Sequence, residues 1–355
     1  MLIKTNNNTK GDNPLFLGLA SLAAVVTVHI AVKTYKKRRD AHKYPPVAPA
    51  SMLETIAKMS ADDLPWFLLA TAKHLDSRTF QLSLPLPFPM VVAVGDGQLA
   101  REILTDKAST KPPALYDDFN SITANVPTMF STNGDYWHSR RKGIAPAFAN
   151  NQVNRMNSVA VKTADRWIEN MLTLEGQEKG FQFDVADEMI DLMLTSICQT
   201  AFEYQISENE KGLFLLELKL ALKEFLFKSS TNPLRKMFGI FLKERRRAFL
   251  AARRLQEFSL KIIDVYSRLS NPLKGTMIDL IMNNPCYTND LERAADVTTL
   301  LVGGHDTTAY SLAWTLKELA RKPELQTQLR EDLRKAGDGH NNARDASERL
   351  FDYIQ

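Results

Sequence analysis

A short polar stretch, Gly-Gly-His-Asp-Thr-Thr at 303–308, interrupts an otherwise regular helical pattern. Each glycine costs a helix interior about 1 kcal/mol relative to alanine, so two in succession require a reason. Because Gly303 and Thr307 are four residues apart, they share one helical face, where the hydroxyl can bond the Gly303 carbonyl and a flat, bulky group can approach the backbone. Asp306 and Thr307 would then offer an acid and a hydroxyl that pass protons from solvent to a bound molecule.

The helix that must position these residues has clear ends in the sequence. Asn289, with Glu292 three residues later, predicts a capping box, and Pro323 predicts that the helix ends near Lys322. The intervening residues, about 32 of them, would span roughly 48 Å, a length typical of a helix that runs through the centre of a domain. The alternative interpretation is a kinked buried helix in which Asp306 only caps a turn or faces solvent.

A second candidate site lies upstream, in the stretch NGDYWHSRRKGIAPAF at 133–148. Trp137 and Arg141 are four residues apart, so an indole N–H and a guanidinium share one helical face. That pair of donors suits a carboxylate ligand. Taken alone, the pattern also fits a buried tryptophan followed by a surface arginine.

The amino-terminal segment differs from the rest of the chain. Residues 14–32 read PLFLGLASLAAVVTVHIAV, which is long and apolar enough to cross a bilayer core of about 20 residues. Five basic residues follow between 33 and 39, which predicts that this end and the rest of the chain stay in the cytoplasm. A cleaved signal peptide and a buried core helix are the alternatives. The stretch YPPVAP at 44–49 predicts a stiff spacer after the anchor.

Beyond the spacer the sequence predicts a mainly α protein with a small β element. Alternation at Phe80 and Leu82 and the apolar run 90–94 are the only convincing strand patterns, and helix follows helix from Asp135 onward. The segment 111–132, with three prolines and many small polar residues, predicts a long loop that could line a pocket.

Composition excludes several other classes of function. The two cysteines form neither a disulfide framework nor a CxxC pair, and the six histidines have no paired-ligand spacing, which argues against a zinc site. The net charge of +4 is small, and no recognised module accompanies the basic residues, so nucleic-acid binding is not expected.

These motifs together resemble the cytochrome P450 family. Residues 303–308 fill, position by position, the pattern Ala/Gly-Gly-x-Asp/Glu-Thr-Thr/Ser of that family's central helix, and 133–148 resembles its Trp-x-x-x-Arg helix. The resemblance spans the whole chain. It implies the mainly α P450 fold preceded by a single transmembrane helix, with an anchor and basic flank at 1–43, a proline-rich spacer at 44–50 and the first two-thirds of a catalytic domain at 51–355.

The resemblance implies a haem (iron protoporphyrin IX) and a monooxygenase that inserts one oxygen atom of dioxygen into an apolar substrate. Asp306 and Thr307 would be catalytic, because they would support proton delivery to oxygen at the iron. The cofactor-binding residues would be Trp137 and Arg141, toward a haem propionate, and Gly303, Gly304 and Thr308 on the central helix.

Partners and location also follow from the resemblance. Electrons would come from an NADPH-dependent reductase, and the membrane would be that of the endoplasmic reticulum, with the catalytic domain in the cytoplasm. Residues 112–128 and 202–241 would shape the pocket for a small apolar organic substrate. The basic stretch 243–254 fits a membrane-surface element or, alternatively, a solvated helix face.

One family feature is missing from these 355 residues. The family's iron is held by a cysteine thiolate in a loop preceded by a Glu-x-x-Arg helix, and neither motif is present. Cys198 and Cys286 both precede the central helix and lie in the wrong sequence context, so no metal ligand is assigned. We therefore expect the 355 residues alone not to catalyse monooxygenation. The alternative function is a non-catalytic, membrane-tethered remnant that binds partners.

Overall fold

The computed structural model describes residues 44–60, 64–84, 90–106, 108–177, 182–228, 235 and 239–337. The chain divides into two compact units, one ending at Ser109 and the other beginning at Thr110. The predicted anchor at 14–32 and its basic flank lie outside the described residues. Among the described residues, none of the helices combines the length and the apolar character needed to span a membrane.

In its described residues, the first unit contains a small sheet with three helices. Helices α1 (Met52–Ser60) and α2 (Leu64–Leu75) precede strands β1 (Thr79–Leu82) and β2 (Val91–Val94), and α3 (Gly97–Thr105) follows. The strands pair antiparallel with Phe80 opposite Ala93, as the alternating pattern predicts. Phe80 and Leu82 are buried with Ala48 and form the core of this unit.

The second unit is helical in its described residues and carries both candidate motifs. Its α-helices are α4 (Pro113–Asn120), α5 (Gly134–Ile144), α6 (Asn150–Gln177), α7 (Val185–Phe202), α8 (Glu208–Leu222), α9 (Lys243–Ser267), α10 (Met277–Met282), α11 (Asp290–Arg321) and α12 (Pro323–Gly337). A π-helical turn at Lys223–Lys228 follows α8 directly. The mainly α character with a small β element is therefore as the sequence predicts.

Helix α11 is the centre of this unit. It contains 32 residues and packs against α7 and α9, and Val297 and Leu301 are fully buried in the main core. Its predicted start is confirmed, because the Asn289 side chain accepts from the Glu292 amide at 3.0 Å. The other half of the predicted capping box differs. The Glu292 carboxylate accepts from the backbone amide and the hydroxyl of Thr288 instead.

The segment at 111–132 is not the continuous loop that its composition predicts. It contains α4 and a 3-10 turn at Ser121–Thr123. Proline at the first helical position has a fixed φ suited to the helix and needs no amide partner there, so the prolines at its start favour this helix. Three aromatic rings with centroids 5.0–5.7 Å apart, those of Tyr116, Phe119 and Phe130, then pack the segment together.

Candidate functional site

The two adjacent glycines of α11 have different surroundings. A Cβ atom added to Gly303 would meet no atom within 4 Å apart from its own stretch of helix backbone, so the helix surface there is an open notch. A Cβ atom added to Gly304 would lie 1.9 Å from Cδ1 of Ile197 on α7. Gly304 therefore allows two helices to pack closely, whereas Gly303 leaves space that nothing in the described residues fills.

The hydroxyl beside this notch is held where the sequence predicts it. Thr307 Oγ1 donates to the Gly303 carbonyl at 2.9 Å, and Thr308 Oγ1 donates to the Gly304 carbonyl at 3.4 Å. Both threonines are exposed, while Asp306 is half-buried. The Thr307 oxygen can accept a further hydrogen bond while it donates, so it can hold a water molecule at the notch.

The residue between the glycines and the acid, His305, has a role that the motif alone does not indicate. Its ring is fully buried, lies 6.0 Å from the ring of Phe214 on α8, and has Nδ1 2.6 Å from the Leu301 carbonyl. Because a carbonyl only accepts, Nδ1 carries the proton, and Nε2 is buried with no partner among the described residues. Burial lowers the pKa of His305, so the ring is neutral. His305 thus belongs to the helix-packing side of α11.

A second group of residues lies around helix α5, and it includes a cation from the segment before α4 that the sequence reasoning missed. Lys111 Nζ lies 5.4 Å from the ring centre of Trp137 and donates to the carbonyls of Met129 and Thr132 at 3.2 and 3.0 Å. Burial and the nearby charge of Arg141 lower the pKa of Lys111. Two cations close enough to repel each other beside an indole favour an anionic ligand between them. The sequence gives no signal for Lys111, which precedes a proline pair 26 residues before Trp137.

A buried arginine next to Arg141 was also missed. Arg140 is fully buried, and its guanidinium lies between the rings of Tyr136 and Tyr287, 3.8 and 4.3 Å from their centres. It forms ion pairs with Asp296 at 3.2 Å and with Glu292, both on α11.

Asp296 joins this arginine to the end of the 111–132 segment. Its Oδ1 accepts from the Met129 amide at 2.7 Å, and its Oδ2 accepts from the Tyr287 hydroxyl at 2.8 Å and from Arg140. Burial raises the pKa of Asp296, and these three hydrogen bonds oppose the increase. For Glu292 the balance is reversed. Hydrogen bonds from Thr288 and Arg140 outweigh the effect of burial, and the pKa of Glu292 is lowered.

The candidate residues therefore form two groups on two helices. No hydrogen bond or ion pair among the described residues joins Trp137 or Arg141 to 303–308; the direct connection is Arg140 with Asp296 and Glu292. Asp296 precedes Gly303 by seven residues. At 3.6 residues per turn, both lie on nearly the same face of α11, about 10 Å apart along its axis.

These residues fit a haem, which has a flat apolar ring and two carboxylates. The open surface at Gly303 can accept the flat face, and the pair of Arg141 and Lys111 beside Trp137 can bind a carboxylate. Cys198 fits an iron ligand poorly, because burial raises the pKa of its thiol to about 12. It is a core residue of α7.

Comparisons with known proteins identify a family. The family model described as Cytochrome P450 matches residues 82–350. "Cytochrome P450 4d8" of Drosophila melanogaster is 24% identical over 271 residues, which cover 69% of this chain and 57% of that protein. "Cytochrome P450 monooxygenase claP" of Ampulloclitocybe clavipes is 27% identical over 224 residues, 57% of this chain and 41% of that one. The chain thus spans about half the length of such relatives.

A solved structure shows the same fold. The crystal structure of the cytochrome P450DA heme domain superposes with a TM-score of 0.62 and 21% sequence identity. The superposition covers 82% of this chain and 63% of that one. The arrangement of helices around α11 is therefore that of a cytochrome P450 domain over the matched part.

Proposed function

This chain belongs to the cytochrome P450 family, and we propose that it functions in a haem-dependent monooxygenase. The observation that carries the proposal is the notch at Gly303 with the Thr307 hydroxyl held beside it at 2.9 Å from the Gly303 carbonyl. A purely structural helix has no need for an open, glycine-lined surface next to an exposed hydroxyl. The relative from Ampulloclitocybe clavipes is itself named a monooxygenase.

The haem would be held by the two groups of residues. Trp137, Arg141 and Lys111 would bind a propionate, because Lys111 lies beside the indole ring and close enough to Arg141 for the two charges to repel each other. Gly303 would allow the ring to approach α11. Gly304 would act through packing against Ile197, and Thr308 would lie exposed at the edge of the same surface.

Residues of the chain would manage protons at this surface. When bound, the haem iron supplies the dioxygen-activating chemistry. Thr307 Oγ1 would accept a hydrogen bond from a water molecule while it donates to the Gly303 carbonyl, and so would fix that water at the notch. Asp306, half-buried one residue earlier, would exchange protons between this water and solvent.

Substrate and partners follow the family pattern as part of the same proposal. The apolar substrate would lie against α4 and the region of α8, where aromatic side chains such as Phe119 are concentrated. The exposed Phe241 and Leu250, with the basic residues at the start of α9, suit a membrane surface. A membrane-bound, NADPH-dependent reductase of the endoplasmic reticulum would then reach the domain from the cytoplasmic side.

Haem content tests the proposal directly. The full chain would be expressed with a haem precursor supplied, and the purified protein examined for haem stoichiometry and for the carbon monoxide spectrum of the reduced form. One haem per chain is expected if the two groups of residues hold the cofactor, and a thiolate-type spectrum in addition would show that a cysteine binds the iron. Protein that is folded but free of haem would contradict the proposal and support the non-catalytic remnant instead.

A matched pair of variants tests the propionate assignment. Arg141→Gln removes one charge-assisted bond, worth about 1.5–3 kcal/mol, so haem affinity should fall about tenfold or more. Lys142→Gln removes a charge of the same sign from the next, exposed position of α5 and should change haem affinity less than about twofold. Equal effects of the two changes would show that only the general positive charge of α5 matters.

A further inference from the structure

Arg140 and Arg141 are adjacent in sequence and have opposite environments. Arg140 is fully buried, whereas Arg141 is exposed and forms no ion pair among the described residues. Successive residues of an α-helix point about 100° apart, so Arg140 faces α11 while Arg141 points to the side of that contact. Burial of an arginine is costly unless its charge and donors are matched, which indicates that Arg140 has a specific task.

The surroundings of Arg140 match the two terminal nitrogens and the flat face of a guanidinium, although its Nε has no hydrogen-bond partner among the described residues. Two carboxylates from α11 pair with its terminal nitrogens, and two tyrosine rings lie close to its guanidinium, Tyr136 from α5 and Tyr287 from the turn before α11. A planar guanidinium can stack on aromatic rings and form two ion pairs at once, whereas a lysine ammonium is a single point charge. The position therefore fixes both the distance and the rotation of α5 relative to α11.

The same cluster is also connected to Lys111 through Met129. The Asp296 carboxylate binds the Met129 amide at 2.7 Å, and the Met129 carbonyl accepts from Lys111 Nζ. One carboxylate of α11 is thus connected to both sources of positive charge in the candidate propionate site. The first connection runs through Arg140 to its neighbour Arg141, and the second runs through Met129 to Lys111.

From this geometry we infer that Arg140 and Asp296 are positioning residues. They fix the distance and rotation of α5 relative to α11, and so the position of the Arg141–Lys111–Trp137 group relative to the Gly303 surface. Gly303 lies seven residues beyond Asp296 on α11. The inference rests on the proposed function for its consequence, haem binding. The anchoring itself is a property of the polypeptide and can be measured without haem.

Hydrogen exchange of the full chain tests the anchoring. Arg140→Met keeps an apolar stem of similar length, and Asp296→Asn keeps the shape of the carboxylate without its charge. Both should accelerate exchange of amides in 127–144 by about tenfold or more, because Arg140→Met removes both ion pairs to α11 and Asp296→Asn removes one of them together with the charged acceptor of the Met129 amide. Arg245→Met is the control, since Arg245 is also buried, near Phe225 and Phe249, but lies on α9. Unchanged exchange in 127–144 in both variants would overturn the anchoring.

A double-mutant cycle on haem affinity tests the positioning role. Arg140→Met alone should weaken haem binding about tenfold, and Arg141→Gln should add less than about twofold in that background, because Arg141 is already misplaced. Arg140→Lys should recover less than half of the decrease in log haem affinity that Arg140→Met causes. If the two effects multiply, Arg140 contributes only to stability and the inference is wrong. If the parent protein binds no haem while folded, the proposed function fails, and the exchange measurement alone decides whether Arg140 and Asp296 anchor α5.

Discussion

Substitution of Gly303 by larger residues should separate folding from ligand binding. In the folded chain an added Cβ atom meets nothing within 4 Å, so alanine at 303 should gain the full helix-propensity difference of about 1 kcal/mol. Valine, which is less favourable than alanine by about 0.6 kcal/mol, should still be no worse than glycine. Both Gly303→Ala and Gly303→Val should therefore raise or preserve the urea midpoint of the protein.

Ligand binding should change in the opposite direction with side-chain size. Alanine occurs at this position in the family pattern, so Gly303→Ala should leave haem and carbon monoxide affinity within about threefold. Gly303→Val places two methyl groups in the notch, and carbon monoxide affinity of the reduced haem protein should fall by about tenfold or more. Gly304→Ala is the packing control. Its Cβ atom would lie 1.9 Å from Ile197 Cδ1, so the side chain of Ile197 must move, at a cost of about 1–3 kcal/mol that offsets the propensity gain.

Two results would refute this reasoning about Gly303. A Gly303→Val protein that is less stable than the parent by more than about 1 kcal/mol would show that the notch is filled in the folded state. A stable Gly303→Val protein with unchanged carbon monoxide affinity would show that the haem ligand does not approach α11 at this residue. Urea denaturation and carbon monoxide titration of the same preparations distinguish these outcomes.

Three further predictions concern single side chains. In a form of the protein that also supplies the iron-binding cysteine, Thr307→Ala should leave haem content unchanged and divert electrons from product to hydrogen peroxide, measured as product formed per NADPH consumed. Unaltered coupling would exclude the proton role of Thr307. Burial alone would raise the pKa of Glu210, but hydrogen bonds such as that from Lys261 lower it from 4.5 to about 2. The stability that ionised Glu210 contributes above about pH 4.5, up to about 3 kcal/mol, should thus be lost as the pH falls toward about 2. The difference in urea midpoint between the parent and Glu210→Gln should shrink over that range. Cys198, whose thiol pKa is raised to about 12, should resist iodoacetamide in the folded chain at about pH 8 while the partly exposed Cys286 reacts; modification of Cys198 without unfolding would contradict its placement in the core.

Features with local causes could be predicted from the sequence. The start of α11 depends on the Asn289 side chain and the amide of Glu292, three residues away, and its end depends on Pro323. The bond between Thr307 and the Gly303 carbonyl is also local, because both residues lie one turn apart on one helix. In each case a single element determines the geometry.

Features that depend on packing between elements could not be predicted. Gly303 and Gly304 are identical in sequence terms, and only the position of α7 decides that one faces Ile197 and the other faces open space. The composition of 111–132 predicts a loop, because prolines and small polar residues are common in loops, but packing of Tyr116 and Phe119 favours a helix there. Lys111 becomes a candidate ligand only because the carbonyls of distant residues hold its ammonium group beside Trp137.

The pair of Arg140 and Arg141 shows why a motif alone does not assign roles. A spacing of four residues from Trp137 selects Arg141, and this assignment needs only one helical face. The role of Arg140 can be assigned only when its partners on α11 are known, since Asp296 is 156 residues away in the chain. Because the two side chains differ in direction by about 100°, rotation of α5 by one residue would place Arg141 where Arg140 now lies and move Arg140 out of its contact with α11. The ion pair between Arg140 and Asp296 excludes that rotation, and so the residue outside the motif determines which arginine the motif can use.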